Sequence, residues 1–214
     1  MWLLLPTWAG IFDMLKQQIV LGITGGSGAP IALRLIQLLS MNPDIHLSLL
    51  LSDNARKVFQ VESGVTLGES PDQIKVALEK HLKQDLAIEI FDSSDMGASI
   101  SSGSRLTKCM IIAPCSMSTL GAVANGLTMN LIHRVASVML KEKRPLITVP
   151  RESPLSPIHL KNMLELSRCG VHVVPATIAF YHQPKSIEDM IDFVCLKVLD
   201  LAGVEHSISQ RWKG

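Results

Sequence analysis

The sequence lacks a charge excess, and it lacks the cysteine patterns of metal-binding or redox sites. Its 214 residues include 20 Lys and Arg against 19 Asp and Glu, so nothing electrostatic favours nucleic-acid binding. The four cysteines form no C-x-x-C pair, which excludes a zinc ribbon and a thioredoxin-type motif. The seven histidines form no i, i+4 pair with a third ligand, and we predict no metal site. The cysteines are best interpreted as reduced thiols in a cytoplasmic protein.

The sequence also lacks the pattern of a membrane span or of a secretory signal peptide. Residues 1–12 are apolar, but Pro6 interrupts them and the run is shorter than the about 20 residues that a membrane helix needs. No Lys or Arg precedes them, as a signal peptide would require. We predict that residues 1–17 are an N-terminal extension, either an added arm or the result of a true start at Met14. Residues 18–214 are then one domain.

What the sequence does contain is typical of a folded α/β enzyme. Hydrophobic residues make up 47% and charged residues 18%, which excludes a disordered chain. A mean hydropathy of +0.30 suits buried parallel strands or an oligomer. Short β-rich segments alternate with longer helical ones, which predicts a three-layer, Rossmann-like (flavodoxin-like) α/β fold. Its doubly wound sheet is mostly parallel, with helices on both faces.

The predicted elements follow from periodicity and from cap residues. Six strands are predicted at Ile19–Ile23, Ile45–Leu51, Ile88–Phe91, Met110–Ala113, Leu146–Val149 and Val171–Val174. Helices are predicted at Ala29–Leu39, Asn54–Val61, Asp72–Leu82, Leu131–Lys141, Ile158–Arg168 and Ile187–Leu201, with another beginning after Ser116. The polar segment Ser93–Leu106 is predicted to be a loop over the site.

The first strand runs into a turn that is rich in glycine and serine. Gly25, Gly26 and Ser27 lie between the strand and the next helix, where backbone N–H groups and the helix dipole can bind a phosphate. The turn matches neither the G-x-G-x-x-G fingerprint nor a P-loop. By itself it predicts either a bound anion or mononucleotide, or a tight turn without a ligand.

Other polar residues follow later strands, at the edge where open α/β sheets bind ligands. Ser52 follows the second strand and could also be a helix cap, and Glu62 on the next helix would ordinarily be solvated. Residues 116–119 offer hydroxyl and N–H groups at a helix start. Arg151 provides a donor fork for a phosphate or a carbonyl group, or else forms a local ion pair with Glu152.

The stretch from residue 109 to 170 contains, in this order, the pieces APCSMSTL, ANG, NLIHRVA, LKEKRPL, VPRESPLS and IHLKNML. In this order and spacing, they resemble the flavin prenyltransferase family (UbiX/Pad type). FYHQP and LDLAGVEHSISQRW match as well, so the resemblance extends from Gln18 to Trp212. It implies the flavoprotein fold of the HFCD type.

The resemblance implies one site for reduced FMN and one for dimethylallyl phosphate. The FMN positions match Gly25, Gly26, Ser27, Ser52, Ser116, Met117, Ser118, Thr119 and Arg151. The positions that bind dimethylallyl phosphate match Arg134, Lys141, Tyr181 and Lys197. The catalytic positions match Ser27, Glu62 and Glu152.

Two residues depart from the pattern seen in some members. Lys197 replaces an Arg, which keeps the charge but loses the bidentate fork. Met96 replaces a Trp beside the prenyl group, which removes an aromatic face that could stabilise a cation.

The resemblance implies a transferase that joins a dimethylallyl group to N5 and C6 of reduced FMN. Its product, prenylated FMN, would serve a UbiD-type decarboxylase, often in ubiquinone or menaquinone biosynthesis. Asp189 and Asp192 are interpreted as the solvated face of the last helix rather than as a magnesium site, so we expect a metal-free monophosphate reaction.

The family's members form homo-oligomers, usually dodecamers, with the flavin site between subunits. Two alternatives remain open. One is an FMN-dependent cysteine decarboxylase of the same fold, although Leu127 stands where that family has a Pro. The other is a non-catalytic flavin carrier.

Overall fold

The computed structural model describes residues 16–206. The strands are β1 Gln17–Ile23, β2 Ile45–Leu51, β3 Ile88–Phe91, β4 Thr107–Cys115, β5 Leu146–Pro150 and β6 His172–Val173. The helices are α1 Ala29–Ser40, α2 Asp53–Ser63, α3 Pro71–Leu82, α4 Met117–Ala124, α5 Leu131–Lys141, α6 Pro157–Arg168 and α7 Ile187–Ala202, with a 3₁₀ turn at Ser99–Ser101. The predicted extension lies almost wholly outside the described residues and stays a prediction.

The six strands form one sheet in the order β3-β2-β1-β4-β5-β6. All five neighbouring pairs are parallel. The chain builds outward from β1 to β3 and then returns to place β4 on the other side of β1. The strand order therefore reverses between β1 and β4, which opens a crevice at their carboxyl ends.

Alternate side chains of β1 point into two separate cores. Ile19, Leu21 and Ile23 are buried in one core together with residues of α1, α2, α3 and α7. Val20 is buried in the other, together with residues of α4 and α5. Successive strand residues face opposite sides of a sheet, so helices cover both faces. The predicted three-layer α/β architecture is confirmed.

Several sequence predictions differ from the structure. β4 is longer than predicted, and its pairing with β5 contains an irregularity between Ile112 and Cys115. β6 has only two residues, because the N–H of Val171 donates to the end of α6 at Leu166. The segment predicted as a loop over the site contains Ile100, which is buried in the second core. Part of that segment therefore packs into the core rather than forming only a loop over the site.

Of the two aspartates interpreted as the solvated face of the last helix, Asp189 is exposed as predicted, whereas Asp192 is half-buried. Asp189 accepts backbone hydrogen bonds from Lys185 and Ser186 and so caps the start of α7. Asp192 pairs with Arg34 of α1 at 2.6 Å, which joins the two helices. Within residues 16–206, no helix is long and apolar enough to cross a membrane.

Candidate functional site

The loops after β1 and β4 are hydrogen-bonded to each other at the crevice. The Thr24 hydroxyl donates to the Pro114 carbonyl at 2.9 Å and accepts from the Ser116 N–H at 2.7 Å. A Cβ atom on Gly26 would meet backbone atoms of Cys115 and Ser116 at 3.3 Å. The glycine turn therefore lies directly against the start of α4. Thr24 is not among the predicted site residues, although it is the first polar residue after a buried strand.

The start of α4 supplies the predicted hydroxyl groups. Ser116 is the N-cap residue, and its Oγ accepts from the Thr119 N–H at 3.3 Å. The Ser118 hydroxyl lies 3.0 Å from that of Ser116 and is exposed, whereas Thr119 is buried. Met117 is half-buried. The four residues thus form one helix start, in which Ser118 has the most accessible side chain.

The second helix constrains the glycine turn from the other side. A Cβ atom on Gly25 would approach the Cβ of Asn54 to 2.6 Å, so only glycine fits there without displacing α2. Ser52 caps α2 by accepting from the Ala55 N–H at 3.3 Å. Ser52 therefore has the structural role that was predicted as an alternative to ligand binding.

Helix α1 has no cap of its own, and Glu62 of α2 supplies one. The cap position of α1 is Gly28, which has no side chain. Oε2 of Glu62 instead accepts from the N–H groups of Gly28 at 2.9 Å and Ala29 at 2.8 Å. Glu62 is exposed, but its carboxylate is held by these two N–H groups, because a carboxylate is stabilised at a helix N-terminus.

The pKa of Glu62 reflects these contacts. Partial burial by itself would raise it, but the Ser27 hydroxyl, the two backbone N–H groups and the charge of Arg151 lower the pKa below its ordinary value. Glu62 is thus ionised at neutral pH. Ser27, Glu62 and Arg151, which are far apart in the sequence, lie together in this site.

Arg151 and Glu152 follow the carboxyl end of β5, as predicted, and both are exposed. Oε1 of Glu152 accepts from the Ser153 N–H at 3.1 Å, while the charge of Arg151 acts on Glu62. Within residues 16–206, the ion pairs of the structure do not include the local pair of Arg151 with Glu152 considered above.

The predicted phosphate-binding residues lie in two parts of the structure, one on α5 and the other on α7 and in the segment before it. Arg134 and Lys141 lie on α5, where Nε of Arg134 donates to the Ser101 carbonyl at 3.1 Å and Nζ of Lys141 lies 2.9 Å from Glu142. Lys197 lies on α7, with its Nζ 5.7 Å from the ring centroid of Phe193.

Tyr181 lies edge-on to the same Phe193 ring at 5.8 Å. Helices α5 and α7 pack on opposite faces of the sheet. One chain therefore carries the four side chains as two separate pairs. Met96 is 42% exposed in the segment that follows β3. Among residues 16–206, no three His, Cys, Asp or Glu side chains form a group that could hold a metal ion.

The chain is similar to known proteins along most of its length. The model of the Flavoprotein family matches residues 12–199. The flavin prenyltransferase UbiX of Methanothermobacter thermautotrophicus is 44% identical over 198 residues, which are 92% of this chain and 96% of that protein.

Two solved structures are similar throughout. A dodecameric FMN-dependent UbiX-like decarboxylase from Escherichia coli O157:H7 has a TM-score of 0.81 at 39% identity, covering 92% of this chain and all of that one. AnUbiX (PadA1), in complex with FMN and dimethylallyl pyrophosphate, has a TM-score of 0.81 at 36% identity, covering 93% of this chain and 98% of that one. The fold, the crevice and the sequence matches together show that the chain belongs to the flavin prenyltransferases of the Flavoprotein family.

Proposed function

We propose that this protein is a transferase that joins a dimethylallyl group from dimethylallyl phosphate to N5 and C6 of reduced FMN. The observation that carries the proposal is the convergence of Ser27, the ionised Glu62 and Arg151 beside the glycine turn, in a chain of this family. A relative of known structure binds FMN together with dimethylallyl pyrophosphate, which supports the same pair of ligands here.

The residues at the crevice have the donor chemistry that FMN requires. Its phosphate would meet backbone N–H groups of the turn and the exposed Ser118 hydroxyl, and Arg151 offers a planar donor fork. The first N–H groups of a helix have no partner within that helix, so the start of α4 adds donors. We propose that FMN is held by Gly25, Gly26, Ser27, Ser52, Ser116, Met117, Ser118, Thr119 and Arg151.

We propose that the phosphate of the second substrate is bound between copies of the chain. Arg134 and Lys141 on α5 and Tyr181 and Lys197 near α7 lie on different faces of one chain. In an assembly of several copies, Arg134 and Lys141 of one copy can lie next to Tyr181 and Lys197 of another copy. The E. coli relative is dodecameric, which supports a homo-oligomer, and a dodecamer is the assembly that we expect.

The reaction is balanced without an oxidant. The allylic C–O bond breaks and its electron pair leaves with the phosphate, while new bonds join the five-carbon unit to N5 and C6. Of the two protons displaced from these atoms, one is balanced by protonation of the alkene and one by protonation of the phosphate. Three cationic side chains and a phenol neutralise the leaving phosphate.

Specific acids and bases are assigned to the proton transfers. Glu152 is exposed at the end of β5 and would protonate the departing phosphate, then accept a proton later. Ser27 and Glu62 would relay the proton lost from the flavin ring. The lowered pKa of Glu62 keeps its carboxylate ionised and therefore able to accept that proton.

One incubation tests this function. The protein is mixed anaerobically with reduced FMN and dimethylallyl phosphate, with and without excess chelator, and the released flavin is analysed by mass spectrometry. A flavin heavier by one C5H8 unit in both arms supports the proposal. Loss of product in the chelator arm would reject the metal-free reaction.

Control incubations separate the donor and the alternative functions. A parallel arm with dimethylallyl pyrophosphate determines which ester is the donor. Unchanged FMN that stays tightly bound would indicate a carrier, and decarboxylation of a peptide C-terminal cysteine would indicate the cysteine decarboxylase. The strong similarity to a curated flavin prenyltransferase across nearly the whole chain favours the first outcome.

We further propose that the product is passed to a UbiD-type decarboxylase in the cytoplasm. The four cysteines are free in the structure, and three of them are buried, as is typical of a protein from a reducing compartment. Release of prenylated flavin to such a decarboxylase in a coupled assay tests the pairing.

A further inference from the structure

The ring of Phe193 is in contact with three other side chains. His182 stacks on it with 4.9 Å between ring centroids and 6° between ring planes. The ring of Tyr181 meets it edge-on at 5.8 Å and 82°. The ammonium group of Lys197 lies 5.7 Å from its centroid. One half-buried ring therefore contacts both Tyr181 and Lys197.

The backbone explains why these side chains meet. Phe193 and Lys197 are four residues apart on α7, so they lie on the same side of the helix. Tyr181 and His182 belong to the segment just before α7. That segment is fixed at its end by a capping box, in which Ser186 accepts from the Asp189 N–H and Asp189 accepts from the Ser186 N–H at 3.1 Å each.

The environment of His182 indicates that it serves as a flat packing surface. Both of its ring nitrogens are buried, and neither has a hydrogen-bond partner among residues 16–206. Stacked on Phe193 and edge-on to Tyr181, it restricts the orientation of both rings.

We propose that Phe193 is a positioning residue that sets the separation and orientation of the Tyr181 hydroxyl and the Lys197 ammonium. This inference rests on the proposed function, in which these two groups bind the phosphate of dimethylallyl phosphate. Tyr181 is 56% exposed and Lys197 is exposed, and both side chains contact the Phe193 ring. An attractive contact with the ring face holds the flexible Lys197 chain near Tyr181.

The test compares Phe193→Leu, Phe193→Tyr and Phe91→Leu with the wild-type enzyme. Phe91 is a half-buried residue on β3, which is an edge strand of the sheet. Phe91→Leu therefore makes the same substitution of a half-buried phenylalanine at a position outside α7. We expect Phe193→Leu to raise the KM for dimethylallyl phosphate about tenfold, with a much smaller change in kcat. Phe193→Tyr retains the ring and should have a KM close to that of the wild type, and Phe91→Leu should leave the KM unchanged.

Two further measurements separate positioning from general stability. The dissociation constant for FMN and the oligomeric state should be the same for Phe193→Leu and wild type. Adding Phe193→Leu to Lys197→Met should raise the KM by a smaller factor than it does in the wild type, because the ring acts partly through Lys197. Full additivity, or a loss of kcat and FMN affinity together with an unchanged KM, would overturn the proposal.

Failure of this inference can be told apart from failure of the proposed function. If the wild-type protein forms no prenylated flavin, the function is wrong whatever Phe193 does. Calorimetry with inorganic phosphate then tests the positioning role directly. Weaker phosphate binding by Phe193→Leu than by Phe91→Leu supports it, and equal binding rejects it.

Discussion

The carboxylate of Glu62 accepts a hydrogen bond 2.8 Å long from the backbone N–H of Ala29, so that a residue of α2 caps α1. The same carboxylate lies next to Ser27 and within the field of Arg151. One side chain therefore stabilises the helix that follows the glycine turn and is also held ionised where we propose that a proton is accepted. Its two roles can be separated by mutation.

Substitution of Glu62 separates the cap from the charge. Glu62→Gln keeps an oxygen that can accept from Ala29, so we expect only a small fall in Tm but a loss of about 10²-fold or more in kcat. Glu62→Ala also removes the cap and should lower the free energy of unfolding by about 1 kcal/mol. Thermal unfolding and product formation measure the two effects. Wild-type turnover by Glu62→Gln would contradict the proton-transfer role.

Stability should depend on pH through Glu62. Its pKa is lowered in the folded protein, so the unfolded chain binds the proton more tightly. This stabilisation is fully present at a pH above the pKa of Glu62 in the unfolded chain, which is about 4.3. It is lost as the pH falls through the lower pKa of Glu62 in the folded protein. Urea unfolding of wild type and Glu62→Gln between pH 7 and pH 3 should show a stability difference that shrinks in this window. A difference that stays constant would refute the assignment.

Gly25 should tolerate no side chain unless Asn54 is shortened. The Cβ of Gly25→Ala would lie 2.6 Å from that of Asn54, so α2 must move away from the turn. We expect a loss of about 1–3 kcal/mol in stability and weaker FMN binding. The double variant Gly25→Ala, Asn54→Gly removes the clash and should regain FMN affinity. Gly97→Ala, whose new Cβ would meet nothing closer than 3.4 Å, is the control.

Lys197 should tune the affinity for the donor rather than for the flavin. Lys197→Arg adds a bidentate fork, and we expect the KM for dimethylallyl phosphate to fall severalfold; Lys197→Met should raise it about tenfold or more. Steady-state kinetics at saturating reduced FMN measures both changes. Lys80→Met, an exposed lysine on α3, controls for loss of a surface charge. An equal effect of Lys80→Met would show that only net charge matters.

The cysteines should react unequally with a thiol reagent. Burial raises the pKa of Cys109, Cys115 and Cys195 to about 12, whereas Cys169 is exposed at the end of α6. Since the thiolate is the reactive form, iodoacetamide at pH 8 should modify Cys169 in the native protein and all four after unfolding. Peptide mass spectrometry identifies the site, and Cys169→Ser should abolish native labelling. Labelling of Cys115 without unfolding would contradict the buried β4 end.

Much of the fold could be predicted because its signals are local. The bounds of β2, β3 and α5 follow from apolar periodicity and cap residues within a few positions. The length of β4 and the burial of Ile100 in the segment before it could not be predicted from local signals. They depend on the strand that pairs with β4 and on the core into which Ile100 packs.

The site divides in the same way. The sequence alone predicted the parallel α/β architecture, the glycine turn, the polar strand ends and the family to which the chain belongs, because the alternation of strands with helices and the spacing of motifs are properties of the linear chain. Only the tertiary structure showed that Glu62 caps α1 across 33 positions and that Thr24 joins the turn to Ser116 across 92. Such contacts depend on how two helices and two loops approach in space, and a linear pattern of residue types does not contain that geometry.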